Sequence, residues 1–342
     1  MSAEYIYLLP IGIAFFLAFN MGGSGTAPSF SALYGANLIR KEYIAGLFGI
    51  FVMLGALIAG GKVVETIGGA VLPAQEMSLV LVSIILLSSA LSIFFANLVK
   101  VPQSTSQSTV FALAGCALYI DALQTDKLFL EIIPTWFVLP VLCFVLTLLC
   151  GLILRRLKSA TRMPDFKSLR NHPIWTFITL GCSCYVAFSI GSNNVANAAG
   201  PLASMMVNDL NLGAAGNGVF VPLLCVLLVA PWFGIGSSVL GGRVLQTTGK
   251  DIVNIGPMGA ALIAFITATL LLLASTIRGI PASLVQMNTF AIIALGLLKR
   301  EGGHRVSGRI IARLVITWLV APVVAFVIAL ALMAAAEWSG LL

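Results

Sequence analysis

Four segments recur in the same order in the two halves of the chain. AFNMG at 18–22 returns as AFSIG at 187–191, GGKVVETIG at 60–68 as GGRVLQTTG at 241–249, VPQSTSQSTVFAL at 101–113 as IPASLVQMNTFAI at 280–292, and TWFVLP at 135–140 as TWLVAP at 317–322. The offsets of 169, 181, 179 and 182 residues are close enough to require an internal duplication. Whatever the fold is, one plan builds it twice.

That plan is written for lipid. Of the 342 residues, 59% are hydrophobic and 9% charged, with a mean hydropathy of +1.06, whereas soluble domains average about 25% charged residues. The fold class expected is an all-α polytopic membrane protein, because a bilayer leaves no water to satisfy an unpaired backbone. Nearly the whole chain reads as spans, so no separate soluble domain is expected. Tyr5–Phe19 follows no basic leader and reads as a retained first span. The six cysteines lie in apolar runs without a CxxC pair and read as apolar filler. No metal site, cofactor or nucleic-acid surface is expected.

The first half reads as Tyr5–Asn20, a break over Gly22–Pro28, a short piece Ser29–Leu38, then Tyr43–Gly60, a loop Gly61–Glu76, Met77–Val99, a helix from the run after Pro102 to Ile120, an acidic loop Asp121–Glu131, and Ile132–Leu154. Arg155–His172 is the one markedly charged linker. The second half reads as Ile174–Ile190, a broken stretch, a polar turn at Asn208–Asn211, then Gly213–Val239, Ile252–Ile277, Ser283–Leu298 and Ile310–Ala336, with a basic loop Lys299–Arg309. The organisation expected is a first membrane repeat over 1–154, a basic cytoplasmic linker over 155–173 and a second membrane repeat over 174–342.

About five crossings per half is an odd number, which turns the second repeat upside down. The basic residues test this. With the central linker in the cytoplasm, 16 of the 19 Lys and Arg fall on that side, and only Lys62, Lys127 and Arg278 fall opposite. That bias fits two inverted five-span repeats with both termini outside. Interrupted helices at matching places in inverted repeats are the sequence pointer to a transport site near the midplane.

Two kinds of interruption occur, each twice. One is the break at 20–28, with Asn20 and Ser24, mirrored by 189–201, with Ser192, Asn193, Asn194 and Asn197. Small-residue packing explains the glycines and alanines there, but three amides fit a polar site better. The other kind follows Pro102 and Pro281. It supplies Ser104, Thr105, Ser106 and Gln107 in one half and Ser283 and Gln286 in the other. A proline-initiated helix offers unpaired N–H groups and a positive dipole end, which suits an anion. N-capping by Ser104 and Ser283 accounts for one hydroxyl per helix, not for the polar run. Lys100 and Arg278 abut these starts as candidate entry residues, or as snorkelling anchors. Glu65 is a candidate proton-coupling carboxylate, with a solvated loop end as the bland alternative. No nucleophile–base pair is present, so no enzymatic activity is expected.

These residues resemble the inorganic phosphate transporter (PiT) family. Its GANDVANA signature is close to GSNNVANA at 191–198, and its P-V-S-T-T-H signature is matched in part at 102–107 and weakly at 281–286. The resemblance spans both halves and implies an inverted-repeat secondary transporter, a homodimer, with an oxyanion between the Ser/Thr helix starts. The departures point further. The signature aspartates, which the family uses for sodium, are Asn194 and Gly25 here, and the histidines are Gln107 and Gln286. Sulfate carries no proton and suits a site of neutral donors, whereas phosphate near neutral pH carries an O–H that wants an acceptor. The CysP-type sulfate permease branch is the better match. The expectation is proton-coupled sulfate uptake across a bacterial cytoplasmic membrane, extending to thiosulfate or other tetrahedral oxyanions. The alternatives are a sodium- or proton-coupled phosphate transporter and, in another class, a passive anion channel.

Overall fold

The computed structural model describes residues 6–35, 38–98, 103–160, 173–209, 220–242, 257–298 and 308–342. Lys100, Pro102, most of the central linker, and residues 210–219, 243–256 and 299–307 lie outside the described residues. Every described element is helical: α1 Leu8–Gly35, α2 Lys41–Ala59, α3 Gly61–Gly69, α4 Leu79–Leu98, α5 Thr105–Tyr119, α6 Ile133–Ala160, α7 Pro173–Asn194, α8 Ala196–Asp209, α9 Phe220–Gly236, α10 Pro257–Leu273, α11 Leu284–Leu298 and α12 Gly308–Trp338. Wider π-helical turns lead into α6 and prolong α9 and α10. Among the described residues, seven helices are long and apolar enough to cross a membrane, while α3, α5, α8 and α11 are shorter.

Two expectations are corrected here. The glycine-rich stretch Gly22–Pro28 is not a break: α1 runs through it as one helix of 28 residues. Its hydroxyls bond back onto their own helix, Ser24 to Met21 O, Thr26 to Gly22 O and Ser29 to Gly25 O, so the polar groups need no interruption to be satisfied. Pro28 removes only one helical bond, at Ser24. The second-half counterpart does break, at Val195 between α7 and α8. The stretch Gly61–Glu76 is not simply a loop either. Its first nine residues form α3, which buries Val63, Val64 and Ile67 on one face.

The repeat shows in the contacts. Phe111 stacks on Trp136 in the first half and Phe290 on Trp318 in the second, at centroid distances of 6.1 and 6.5 Å. Gly22 faces the carbonyl of Phe233 and Gly236 that of Phe19, while Gly191 faces Val52 and Gly55 faces Phe188. These are the same two contacts seen twice, once between α1 and α9 and once between α7 and α2. In each, the sequence numbers run in opposite directions, so the helices pack antiparallel, with backbones close enough that neither glycine has room for a methyl group. α5 lies along α12, with Tyr119 hydrogen-bonded to Glu337, and its counterpart α11 lies along α6, where Arg155 reaches the carbonyl of Leu298.

The outside is as apolar as the core. Phe137, Val138, Val141 and Val145 of α6 and Leu319, Val320, Val323 and Val327 of α12 are exposed at repeat-related positions. In water that would be an aggregation surface; in a bilayer it is the lipid-facing one. At one polar end the Asp209 carboxylate, by its charge first, raises the Tyr7 phenol above its ordinary value and ties the start of α1 to the end of α8.

Candidate functional site

The polar groups predicted from the two interruptions converge on one place. Ser104 stands at the N-cap of α5 and accepts from the Gln107 N–H, and Ser283 stands before α11 and accepts from the Gln286 N–H, both at 3.3 Å. Both helix starts open on the same small, partly open pocket, lined by Ser24, Gly25, Pro28, Gln103, Ser104, Thr105, Ile190, Asn194, Ala282, Ser283, Leu284 and Val285. Every described lining residue is neutral. Helix starts carry positive dipole ends and unpaired N–H groups, so the cavity is electropositive without containing a cation.

Asn193 ties the walls together. Its Nδ2 donates to Ser275 Oγ at 2.8 Å and Ile280 O at 3.1 Å, and its Oδ1 accepts from Ala282 N at 3.1 Å and Ser106 Oγ at 3.2 Å. A side-chain amide has two donor hydrogens and two lone pairs, and all four are used. Asn197 Nδ2 reaches Ser106 Oγ at 3.4 Å. Gln107 and Gln286, equivalent positions of the two repeats, hold each other through two reciprocal amide bonds of 3.2 and 3.1 Å. Gly279 ends the turn after α10 with φ of 64°, and a Cβ there would meet Lys62 O at 2.6 Å. That left-handed position, which glycine alone fits without strain, aims Ile280–Ser283 into the site.

The remaining candidates are placed as follows. Ser192 is buried and bonds back to Ser189 O, away from the cavity. Asn20 is buried on α1, donates to Phe16 O, and leaves its Oδ1 unpaired. Glu65 is exposed on α3 and does not line the cavity. Arg278 is exposed at the end of the α10 turn, beside Lys62, whose ammonium donates to Ile277 O. Gln103 was missed as a site residue. It lines the cavity, is buried, and neither amide atom has a partner. Each such orphan costs about 1–3 kcal/mol. The signal in the sequence was its place between the helix-starting proline and the capping serine.

A bundle of apolar helices around a small, neutral, donor-rich pocket fits a multi-pass membrane carrier of small anions. Comparison with known proteins agrees. The phosphate transporter family profile matches residues 21–329, and the chain belongs to that family. The chain is 34% identical over 316 residues to the sulfate permease CysP of Bacillus subtilis, covering 92% of this chain and 84% of that protein. It is 25% identical to a putative phosphate permease of Pyrococcus horikoshii, covering 94% and 95% of the two chains. A solved structure titled "The sodium-dependent phosphate transporter" superposes with a TM-score of 0.84 at 23% identity, over 98% of this chain and 99% of that one, which shows the fold.

Proposed function

We propose that this protein carries sulfate into the cell by alternating access of two inverted repeats, with proton symport as the drive. The observation that carries the reading is the all-neutral cavity between the two capped helix starts. A fully deprotonated dianion can use every donor there, and nothing in the lining repels it. Asn194 and Gly25, which stand where the family resemblance places aspartates, both line this cavity, so neither position offers a carboxylate to accept the proton of hydrogenphosphate or to bind sodium beside the anion. The similarity to a sulfate permease over most of the chain supports the same choice.

The inversion is supported by helix direction. α5 is parallel to α12 and α11 parallel to α6, while the short connection after α5 folds α6 back against it. α5 and α11 then point oppositely, and their starts meet in the middle of the bilayer. A dianion entering against an inside-negative potential costs about 2.3 kcal/mol per charge per 100 mV, so a co-transported cation must offset it. Phosphate transport is the second reading, favoured by the phosphate permeases among the relatives.

The test is uptake of labelled sulfate into proteoliposomes with an imposed pH step. Wild type should accumulate sulfate only with the step, and excess phosphate should compete weakly. Ser104→Ala combined with Ser283→Ala should cut uptake at least tenfold. Unchanged uptake in the double variant would remove these helix starts from the site. Strong competition by phosphate would reverse the selectivity.

A further inference from the structure

We propose that Gln103 is a ligand of the carried oxyanion and that its amide sets how the site treats a proton on that anion; this rests on the oxyanion reading of the cavity above. Among the described residues, Gln103 is the sole buried side-chain amide with both oxygen and nitrogen unpaired, and it lines the cavity. Only 4% of the residue is exposed. Buried polar groups are otherwise paired almost everywhere in proteins. An amide kept dry and empty-handed at the wall of an anion cavity is explained by a partner that comes and goes.

Several neighbouring groups are already committed, while the Asn194 amide also lines the pocket. Asn193 has no free hydrogen bond, Gln107 and Gln286 hold each other, and the hydroxyls of Ser104 and Ser283 accept from their own helices, which leaves them as donors toward an anion. The position equivalent to Gln103 in the second repeat is Ala282, which offers no side chain to the ligand and spends its N–H on Asn193. The cavity is therefore lopsided, with a spare amide at one helix start alone. The terminal torsion of glutamine is broad and roughly two-fold. The amide turns its Nε2 toward an unprotonated oxygen of sulfate, or its Oε1 toward the hydroxyl of hydrogenphosphate. Gln103 adds a buried amide oxygen to the acceptors of the site, beside the Asn194 amide, and so eases the binding of a protonated oxyanion.

The experiment is titration calorimetry on the detergent-purified full chain, with sulfate and with inorganic phosphate at neutral pH, for wild type, Gln103→Met and Gln103→Asn. Methionine keeps the length and removes both polar atoms, so the ligand-free variant should melt no lower than wild type. Its sulfate Kd should rise about tenfold and its phosphate Kd by a larger factor, so that discrimination for sulfate increases. Asparagine keeps the amide one methylene short and should fall between the two in both titrations. Unchanged Kd values in Gln103→Met, with wild type binding sulfate, would overturn the role of Gln103 and leave the oxyanion site standing. Equal weakening of both anions would overturn the part concerning the proton. Wild type binding neither anion would instead overturn the oxyanion reading and this inference with it. Should the methionine variant not fold, the asparagine titrations decide alone: no change in either Kd overturns the proposal.

Discussion

Replacing Asn193 by leucine is expected to abolish sulfate uptake, to below about a hundredth of wild type. The asparagine joins α7, α5, the end of α10 and the segment 280–282 through four hydrogen bonds, in a place with no exposure to solvent. Leucine is similar in size but leaves the Ala282 N–H, the Ile280 carbonyl and the two hydroxyls to find new partners. Two orphaned backbone groups alone would cost about 2–6 kcal/mol at the usual 1–3 kcal/mol for each buried unsatisfied group. About 2.7 kcal/mol is already a hundredfold in an equilibrium. Loss of uptake accompanied by a lower melting temperature in detergent is the expected pair of results. Full uptake in Asn193→Leu would show that the polar knot does not hold the site.

The second large effect concerns the backbone contacts that the repeat makes twice. In Gly55→Val, the new side chain on α2 meets the carbonyl of Phe188 on α7 with no space between them. One of the two helices must move, and overpacking of this kind costs about 1–3 kcal/mol and occasionally more. Because the obstacle is backbone and not a flexible side chain, the upper end of that range is expected, read as a fall in melting temperature with loss of transport. Gly46 on the same helix is the control. It is exposed, a Cβ there meets nothing within 4 Å, and valine should be close to neutral. Equal behaviour of the two variants would show that the α2–α7 contact does not hold the halves together.

Helix starts were easier to read in the sequence than the continuity of a helix through glycines. Ser104 and Ser283 were legible because a proline followed by hydroxyl residues inside an apolar run has few explanations other than a helix start. Asn193 was legible because three amides in lipid need partners. The continuity of α1 was not legible. Gly22, Gly23 and Gly25 look like a chain break, but Gly22 and Gly23 are small because Phe233 and Leu240 press against them, and Gly25 because Phe48 and Ile190 do. That reason lies on other helices and leaves no local mark. α3 was hidden by glycines at both ends and by Lys62 and Glu65, although Val63, Val64 and Ile67 do form a single face. Gln103 escaped notice because polarity next to a cap looks ordinary. Only the absence of any hydrogen-bond partner distinguishes it.

The pairing of Gln107 with Gln286 gives the two halves a fixed point. Two positions 179 residues apart in sequence, each just inside a capped helix start, close on one another through both amide atoms. In the proposed rocking of one half against the other, the motion would turn about this point or break it.

A structure of the protein bound to selenate, the heavier analogue of sulfate whose anomalous signal locates it without ambiguity, tests the account most directly. The account predicts the anion between the starts of α5 and α11, held by Ser104, Ser283 and backbone N–H groups, with no carboxylate and no metal ion in contact. An anion elsewhere in the bundle, or one bound there through a sodium ion or an acidic side chain, would contradict it.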